Sequence, residues 1–135
     1  MSDASITTAL LSILNTSLPV AWPATKFSPP SGEEDMWLRV QEFPNEPDEL
    51  SWNRDGSVMC QGILQIEVHF KEGTGHDGQR RYMDAVDEAE SIMQQYSKGT
   101  RADGVGVFRR PWRSAVIRDD YGFYIPVSVA FQGII

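Results

Sequence analysis

A glycine-rich turn is the stretch of this chain whose residue types and spacing come nearest to a chemical motif. It runs from Gly73 to Gly78 and precedes a predicted helix, and helix N-termini that follow glycines bind phosphates. The turn matches the dinucleotide pattern GxGxxG in letters, but a phosphate loop would end in Gly-Lys-Ser or Gly-Lys-Thr, whereas Gln79 and Arg80 follow here. No second parallel strand ending in an acidic residue can be read within the required distance. The sequence therefore favours a plain strand-to-helix turn, with Asp77 as the helix N-cap.

The two histidines, His69 and His76, are the next candidates for chemistry. A metal ion would need both of them together with carboxylates such as Glu67 and Asp77, and their spacing matches no compact ligand pattern. Neither histidine has a clear orienting partner and no Gly-x-Ser-x-Gly elbow is present, so a serine nucleophile is not indicated. The single cysteine, Cys60, alternates with apolar residues and is interpreted as a core residue. We therefore predict surface histidines, no catalytic residue, no metal and no cofactor, and hence no enzyme.

Length and charge narrow the class of protein further. A chain of 135 residues with 41% hydrophobic and 23% charged residues predicts a single globular domain, residues 1–135. It contains no apolar run of membrane-spanning length, and its first residues lack the features of a signal peptide, so neither a membrane nor secretion is expected. Nineteen acidic against twelve basic residues give a net charge of −7, which argues against a nucleic-acid grip. DNA can still pass such a surface without adhering to it.

The apolar periodicity predicts two helices and about five strands. A helical spacing begins after Ser2 or Asp3 and another runs from Tyr82 to Tyr96. Alternating apolar residues predict strands over Met36–Phe43, Ser57–Phe70, Val105–Arg110, Ala115–Arg118 and Tyr121–Gln132. The last two strands are expected to form a hairpin, and Pro126 favours an edge position or a bulge. This element order predicts an α+β fold, a mainly antiparallel sheet with two helices packed on one face.

Several side chains are not needed for a core. Met59 and Ile63 lie on the nominally wet face of the longest strand, beside Gln61 and Gln65. Trp37, Trp52 and Trp112 fall outside the regular apolar sets, and Trp112 lies among arginines. Tryptophan, methionine and arginine are enriched in protein interfaces. The residue types therefore indicate association rather than catalysis.

The order of these motifs resembles the tail terminator proteins of long-tailed bacteriophages, the minor tail protein U-like family. The strongest similarity is Gly62-Ile-Leu-Gln-Ile-Glu-Val68, followed by Gly73-Thr-Gly75 and a long helix that ends near Lys98-Gly99-Thr100. The other residues that carry it are the N-terminal amphipathic helix, Trp22, Phe27-Ser-Pro29, Trp37-Leu-Arg-Val40, Pro44-Asn45 and Ile125-Pro-Val-Ser-Val129. One departure is Lys71-Glu72, where the family pattern would have a proline-containing turn.

The resemblance implies a structural protein at the head-proximal end of the virion tail, assembled in the host cytoplasm. Such a subunit forms a homo-oligomeric ring, usually a hexamer, that caps the tail tube, ends its polymerisation and provides the surface for the head-completion protein. DNA only passes through the lumen. For this chain we expect subunit contacts from Arg39, Met59, Gln61, Ile63 and Gln65. We expect tube or head contacts from Trp52, Arg54, Arg109, Arg110, Trp112 and Arg113.

Two alternatives stay open at this point. A head-to-tail connector or neck subunit would share the fold class and the ring symmetry. A small phosphate- or nucleotide-binding enzyme would use the glycine turn at residues 73–78 together with His76.

Overall fold

The computed structural model describes residues 3–23, 25–30, 36–44, 48–49, 58–120 and 122–134. In these residues the chain forms two helices, α1 (Asp3–Ile13) and α2 (Gly75–Gln95). The strands are β1 (Val20–Ala21), β2 (Trp37–Pro44), β3 (Asp48–Glu49), β4 (Val58–Phe70), β5 (Arg101–Ala102), β6 (Val105–Val107), β7 (Trp112–Arg113), β8 (Ile117–Asp119) and β9 (Gly122–Ile134). The predicted helices and the long strands are therefore present, with additional short strands along the edges.

The strands form a sheet whose continuous path is β1-β2-β4-β9-β6-β5. The short strand β3 pairs with β4, whereas β7 and β8 pair with β9. Every pairing is antiparallel except that of β1 with β2, which is parallel. The α+β prediction is thus confirmed, but the sheet is mixed and larger than the predicted five antiparallel strands. The extra strands, β1, β3, β5 and β7, are each two residues long, too short to produce a readable alternation of apolar residues.

Both helices pack on one face of the sheet, where they form the hydrophobic core. Even-numbered residues of β4 and odd-numbered residues of β9 point to this face, because their registers pair Leu64 with Val129 and Ile66 with Val127. The helices add Leu10 from α1 and Ile92 from α2, all of them at most 1% exposed. The buried Tyr96, which directly follows α2, donates its hydroxyl to the Leu10 carbonyl of α1 and so connects the two helices. These contacts confirm most of the apolar faces that the sequence predicted for β4 and α2, but Tyr82 is 37% exposed. The side chain of Cys60, predicted to be a core residue, is not among those that the structure describes.

The opposite face of the sheet departs from the sequence prediction near the end of β4. The odd positions of β4 were expected to be wet, yet Glu67 is 6% exposed and His69 only 2%. Trp37 of β2, which follows no apolar pattern in the sequence, covers His69 and is itself 2% exposed. The prediction of a surface His69 is therefore wrong, because side chains from neighbouring strands cover this part of the second face. His76, by contrast, is exposed as predicted.

Pro126 lies in the interior of the sheet, neither at an edge strand nor in a bulge. It pairs in register with Glu67, and the ladder between β4 and β9 is continuous from Met59 to Phe70. The backbone N–H of Ser114 donates to the Pro126 carbonyl at 3.0 Å, so the backbone of Pro126 faces away from β4. Its missing N–H consequently falls between β7 and β8, where the ladder along β9 is interrupted.

Candidate assembly surface

The face of the sheet opposite the helices is the candidate functional surface, and we call it the open face. Residues paired in register point to the same face, so the odd positions of β4 define it. One row across the strands joins Phe43, Ile63 and Ala130. The full set on the three long strands is Trp37, Arg39, Gln41 and Phe43 of β2, Gln61, Ile63, Gln65, Glu67 and His69 of β4, and Tyr124, Pro126, Ser128, Ala130 and Gln132 of β9.

The structure brings four of the five predicted subunit-contact side chains together on this face. Arg39, Gln61, Ile63 and Gln65 are half-buried and follow one another along the centre of the sheet. Met59 continues the same series on β4, where its backbone pairs with Asp48 on one side and Ile134 on the other. The alternation of β4 was sufficient to group Gln61, Ile63 and Gln65, because a continuous strand keeps alternate residues on one face. Arg39 joins them through the pairing of β2 with β4.

Exposed aromatic side chains extend the open face at its two sides. Phe43 lies beside Ile63 and is 49% exposed. Trp112 of β7 pairs with Ser128, which pairs with Gln65, and is 39% exposed. Exposed aromatic groups beside a half-buried aliphatic one are typical of protein interfaces. The open face therefore combines residues from both predicted contact sets.

A buried polar cluster closes one end of the open face. The His69 ring stacks on Trp37, with ring centroids 4.0 Å apart, and on Tyr124 at 4.9 Å. Its Nε2 lies 2.9 Å from a carboxylate oxygen of Glu67, and its Nδ1 faces a carboxylate oxygen of Asp119 at 3.3 Å. Desolvation, with the Glu67 and Asp119 carboxylates as smaller contributions, raises the pKa of the Tyr124 phenol. The cluster attaches β8, which carries Asp119, to the central strands.

Two predicted contact residues are held in place by this cluster. The amide Nε2 of Gln65 donates to the second oxygen of the Glu67 carboxylate at 2.7 Å. The guanidinium of Arg39 lies over the Trp37 ring, with its Cζ 5.3 Å from the centroid, and Phe27 contacts the same ring at 5.1 Å. These contacts reduce the rotamer freedom of Arg39 and Gln65, so less entropy would be lost if a partner bound there.

The residues predicted to contact the tube or the head protein do not lie together in the structure. Trp52 and Arg54 lie outside the described residues. Arg109 and Arg110 are exposed and lie between β6 and β7. Arg113 lies on the helix face, where its Nε donates to a carboxylate oxygen of Glu90 on α2 at 3.1 Å. The arginine run is therefore not one patch, because alternate residues of β7 point to opposite faces.

In the glycine turn before α2, the backbones of the first and last glycines are in close contact. A Cβ on Gly78 would lie 2.6 Å from the Gly73 carbonyl oxygen, so the absence of side chains allows the turn to pack against the first helical turn. Thr74 is the N-cap, and the prediction of Asp77 at that position is wrong by three residues. The hydrogen bond from Arg80 lowers the pKa of the Asp77 carboxyl, which places a negative charge at the helix N-terminus.

Neither a metal site nor a membrane segment is found in the described part of the chain. No group of three or more histidine, cysteine, aspartate or glutamate side chains there is arranged to hold a metal ion. No helix within the described ranges has the length and apolar character needed to cross a membrane.

Comparisons with known proteins agree with the fold described above. The family described as phage tail terminator protein matches residues 4–131, and the chain therefore belongs to this family of structural tail proteins. A solved structure superposes with a TM-score of 0.73 over 98% of this chain and 96% of that one, at 23% sequence identity, which shows a shared fold. No curated protein sequence matches the chain significantly. The family prediction is confirmed, whereas the U-like subfamily stays a prediction.

The cluster around His69 is the feature of the open face that sequence reasoning missed. Its three polar members lie on two strands that are separated by a long helix, and its aromatic members lie on two others. The local signal was present, because Glu67 and His69 share one face of β4 beside Gln65. What was absent from the sequence was any indication that Trp37 would cover them.

Proposed function

We propose that this protein caps the phage tail tube as a ring, ends its polymerisation and presents the surface to which the head-completion protein binds. The observation that carries the proposal is the membership in the phage tail terminator family over residues 4–131. The open face supports it, because a ring subunit needs an accessible, partly apolar surface. A terminating ring must also present a different surface on its far side, so that no tube subunit adds there.

In this proposal the open face supplies subunit contacts through Arg39, Met59, Gln61, Ile63 and Gln65. The exposed Arg109, Arg110 and Trp112 contact the tube or the head protein, together with Trp52 and Arg54. Arg113 is a weaker candidate, because its guanidinium is engaged by Glu90 of the same molecule. The ring is a hexamer at the head-proximal end of the tail, and its net negative charge repels the phosphates of the DNA that passes through it.

The direct test is the length of tails assembled without this protein. Overlong tubes are expected, because nothing would then stop polymerisation. Tails of normal length that fail to join heads would instead assign the protein to the neck or connector, and the capping role would be wrong.

A substitution on the open face tests the subunit contact. Ile63→Asp introduces a charge on the half-buried centre of the open face, so we expect ring assembly in sedimentation experiments with tail tubes to be lost. The matched control is Met83→Asp on α2, where the side chain is 50% exposed and lies outside the open face. Thermal unfolding of both variants separates lost assembly from lost folding. Undisturbed assembly of a folded Ile63→Asp protein would exclude this face as a subunit contact.

A further inference from the structure

Positive charge is concentrated in one short stretch of this acidic chain. Residues 98–110 contain four basic residues and one acidic one, Asp103, whereas the whole chain has a net charge of −7. The stretch includes the strands β5 and β6. Its basic residues are all exposed, and they are Lys98, Arg101, Arg109 and Arg110. A local concentration of cations on an acidic molecule attracts a partner that the rest of the surface repels.

Two of these cations line a cleft at one end of the sheet, which we call the basic cleft. Lys98 and Arg101 line it together with Phe108 and Gln132, and its volume is about 450 Å³. A Cβ on Gly99 would meet no atom within 4 Å, so the cleft is open at this position. The lining contains four glycines, which are Gly99, Gly104, Gly106 and Gly133. Because glycine has no side chain, an extended peptide can approach the main chain of the cleft closely.

The position of the Arg101 side chain is determined by Gly106 on the neighbouring strand. The two residues pair in register, and a Cβ on Gly106 would lie 3.6 Å from Cγ and 4.0 Å from Nε of Arg101. The arginine side chain therefore crosses the space above this glycine. Arg109 lies beside the cleft, because its Cζ is 5.8 Å from the centroid of the Phe108 ring. Three of the four cations are thus in the basic cleft or next to it.

The cations of the basic cleft differ from other cationic positions in their ion pairs. Arg113 and Arg118 are each paired with a glutamate of the same molecule. Within the described ranges no ion pair involves Lys98, Arg101 or Arg109. These exposed charges are therefore available to a partner that carries carboxylates.

We propose that the basic cleft binds an acidic segment of the tail tube protein, whose carboxylates pair with Lys98 and Arg101. Lysine and arginine form strong, charge-assisted hydrogen bonds with carboxylates. The inference rests on the proposed function, because it names the chemistry of a contact that is assigned there to Arg109 and Arg110. These two arginines directly follow Phe108 of the cleft lining, so the cleft and that contact form one continuous surface.

The basic cleft leaves the centre of the open face available to the neighbouring subunit. Arg101 begins a row across the sheet that runs through Gly106 and Gln132 to Gln61. The cleft residues are those at the outer end of this row, whereas Ile63 lies on the central strand β4. Tube binding at the cleft and subunit contact through the open face are therefore compatible.

The uneven charge favours the tube protein over the head-completion protein as the partner. A terminating ring must bind the tube with one side and reject tube subunits with the other. An acidic tube segment is attracted by the basic cleft and repelled by acidic surfaces such as the outer side of α2, where Asp84 and Asp87 are exposed. The head-completion protein has no such requirement, because it does not polymerise on the ring.

An acidic protein segment also fits the basic cleft better than nucleic acid does. Binding to a phosphate backbone depends on many cations that together release counterions, whereas only three cations lie at this cleft in a molecule with a net charge of −7. A volume of about 450 Å³ is in the range of small-ligand pockets. It accommodates a few residues of an extended chain but not a duplex.

Binding to tail tubes assembled without this protein tests the proposal. Lys98→Glu with Arg101→Glu replaces both lining cations by carboxylates, so we expect tube binding in co-sedimentation to weaken about tenfold or more. The matched control is Lys71→Glu with Arg118→Glu at the other end of the sheet, which makes the same charge change and should bind tubes normally. A hexaglutamate peptide should release the wild-type protein from tubes, whereas a DNA duplex of equal total charge should not.

A second pair of variants separates the shape of the cleft from its charge. Gly106→Val fills the space beneath Arg101 without a change of charge, so we expect weaker tube binding. Gly106→Ala adds only a Cβ at an ordinary contact distance of 3.6 Å and should bind tubes like the wild type. Thermal midpoints show whether each variant is folded. Equal tube binding by folded Gly106→Val and Gly106→Ala proteins would contradict binding in the cleft.

The outcomes separate this inference from the proposed function. If tails lacking the protein are overlong but the Lys98→Glu, Arg101→Glu protein binds tubes and restores normal length, the inference is wrong and the capping function stands. Tails of normal length that fail to join heads in this variant would assign the cleft to the head-completion protein and overturn the inference. Release from tubes by the DNA duplex but not by hexaglutamate would identify a nucleic-acid contact instead. Tails of normal length in the complete absence of the protein would reject the proposed function itself.

Discussion

At the scale of single residues, His69 shows how one side chain can join four strands. It lies on β4, stacks on Trp37 of β2 and Tyr124 of β9, and faces Asp119 of β8. A buried carboxylate such as Glu67 is tolerated when hydrogen-bond donors satisfy it. His69 and Gln65 both lie within hydrogen-bond distance of the Glu67 carboxylate. The cluster therefore holds the end of the open face together by hydrogen bonds and ring stacking as well as by apolar packing.

Separate substitutions of the two histidines are expected to show that His69, and not His76, stabilises the fold. His69→Ala removes the stacked ring and leaves Glu67 buried with one partner fewer, so we expect a loss of about 2–4 kcal/mol in the free energy of unfolding. His76→Ala at an exposed position should change it by less than about 0.5 kcal/mol. Urea unfolding measures both. Equal effects of the two substitutions would contradict the structural role of His69.

The buried phenol of Tyr96 makes the stability of the protein depend on pH. Its hydroxyl donates to the Leu10 carbonyl at 2.7 Å, and burial raises the pKa of the phenol above its ordinary value of about 10. Since the folded state favours the neutral phenol, its contribution is complete below pH 10 and is lost as the pH rises above that value. Tyr96→Phe should cost about 1 kcal/mol at neutral pH and reduce the loss of stability in alkali. Urea unfolding at neutral and alkaline pH checks both effects, with the 37%-exposed Tyr82→Phe as control.

At the scale of elements, the connection between β4 and α2 is constrained by backbone contact. Arg81 donates to the Glu72 carbonyl at 2.9 Å and pairs with Asp77 at 2.8 Å, so it holds both ends of the turn. Gly73 and Gly78 meet in the space between. This explains a glycine pattern that resembles a phosphate loop in letters only.

The substitution Gly78→Ala tests that explanation. Alanine normally stabilises a helix relative to glycine, but here its Cβ would contact the Gly73 carbonyl oxygen at 2.6 Å. We therefore expect a loss of about 1–3 kcal/mol in the free energy of unfolding. Ser91→Ala, an exposed change elsewhere in α2, should be neutral or slightly stabilising. A stabilised Gly78→Ala protein, or one protected from unfolding by phosphate, would argue for an open phosphate loop.

At the scale of the whole molecule, the negative net charge disfavours binding to nucleic acid. An excess of acidic residues repels phosphates at long range, and several of the cations on the described surface are engaged in ion pairs. We expect no saturable binding of a labelled DNA duplex at about 0.15 M salt, measured by fluorescence anisotropy. Saturable binding under these conditions would contradict a role in which DNA only passes the protein.

The same scale shows how far local pattern determines this protein. The alternation of β4 and the helical period of α2 fixed both elements and the α+β class, because side-chain direction along a regular element follows from the backbone alone. They also grouped Gln61, Ile63 and Gln65 on one face. The order of motifs along the chain was sufficient to identify the family.

Tertiary structure alone decided what lies beside those residues. Pairing between strands that are far apart in the chain places Trp112 and Arg101 on the open face and Arg113 on the opposite face. It also buried His69 under Trp37 and oriented Pro126 toward the interruption between β7 and β8. None of these follows from periodicity, because a period specifies the face of a residue but not its neighbours across the sheet.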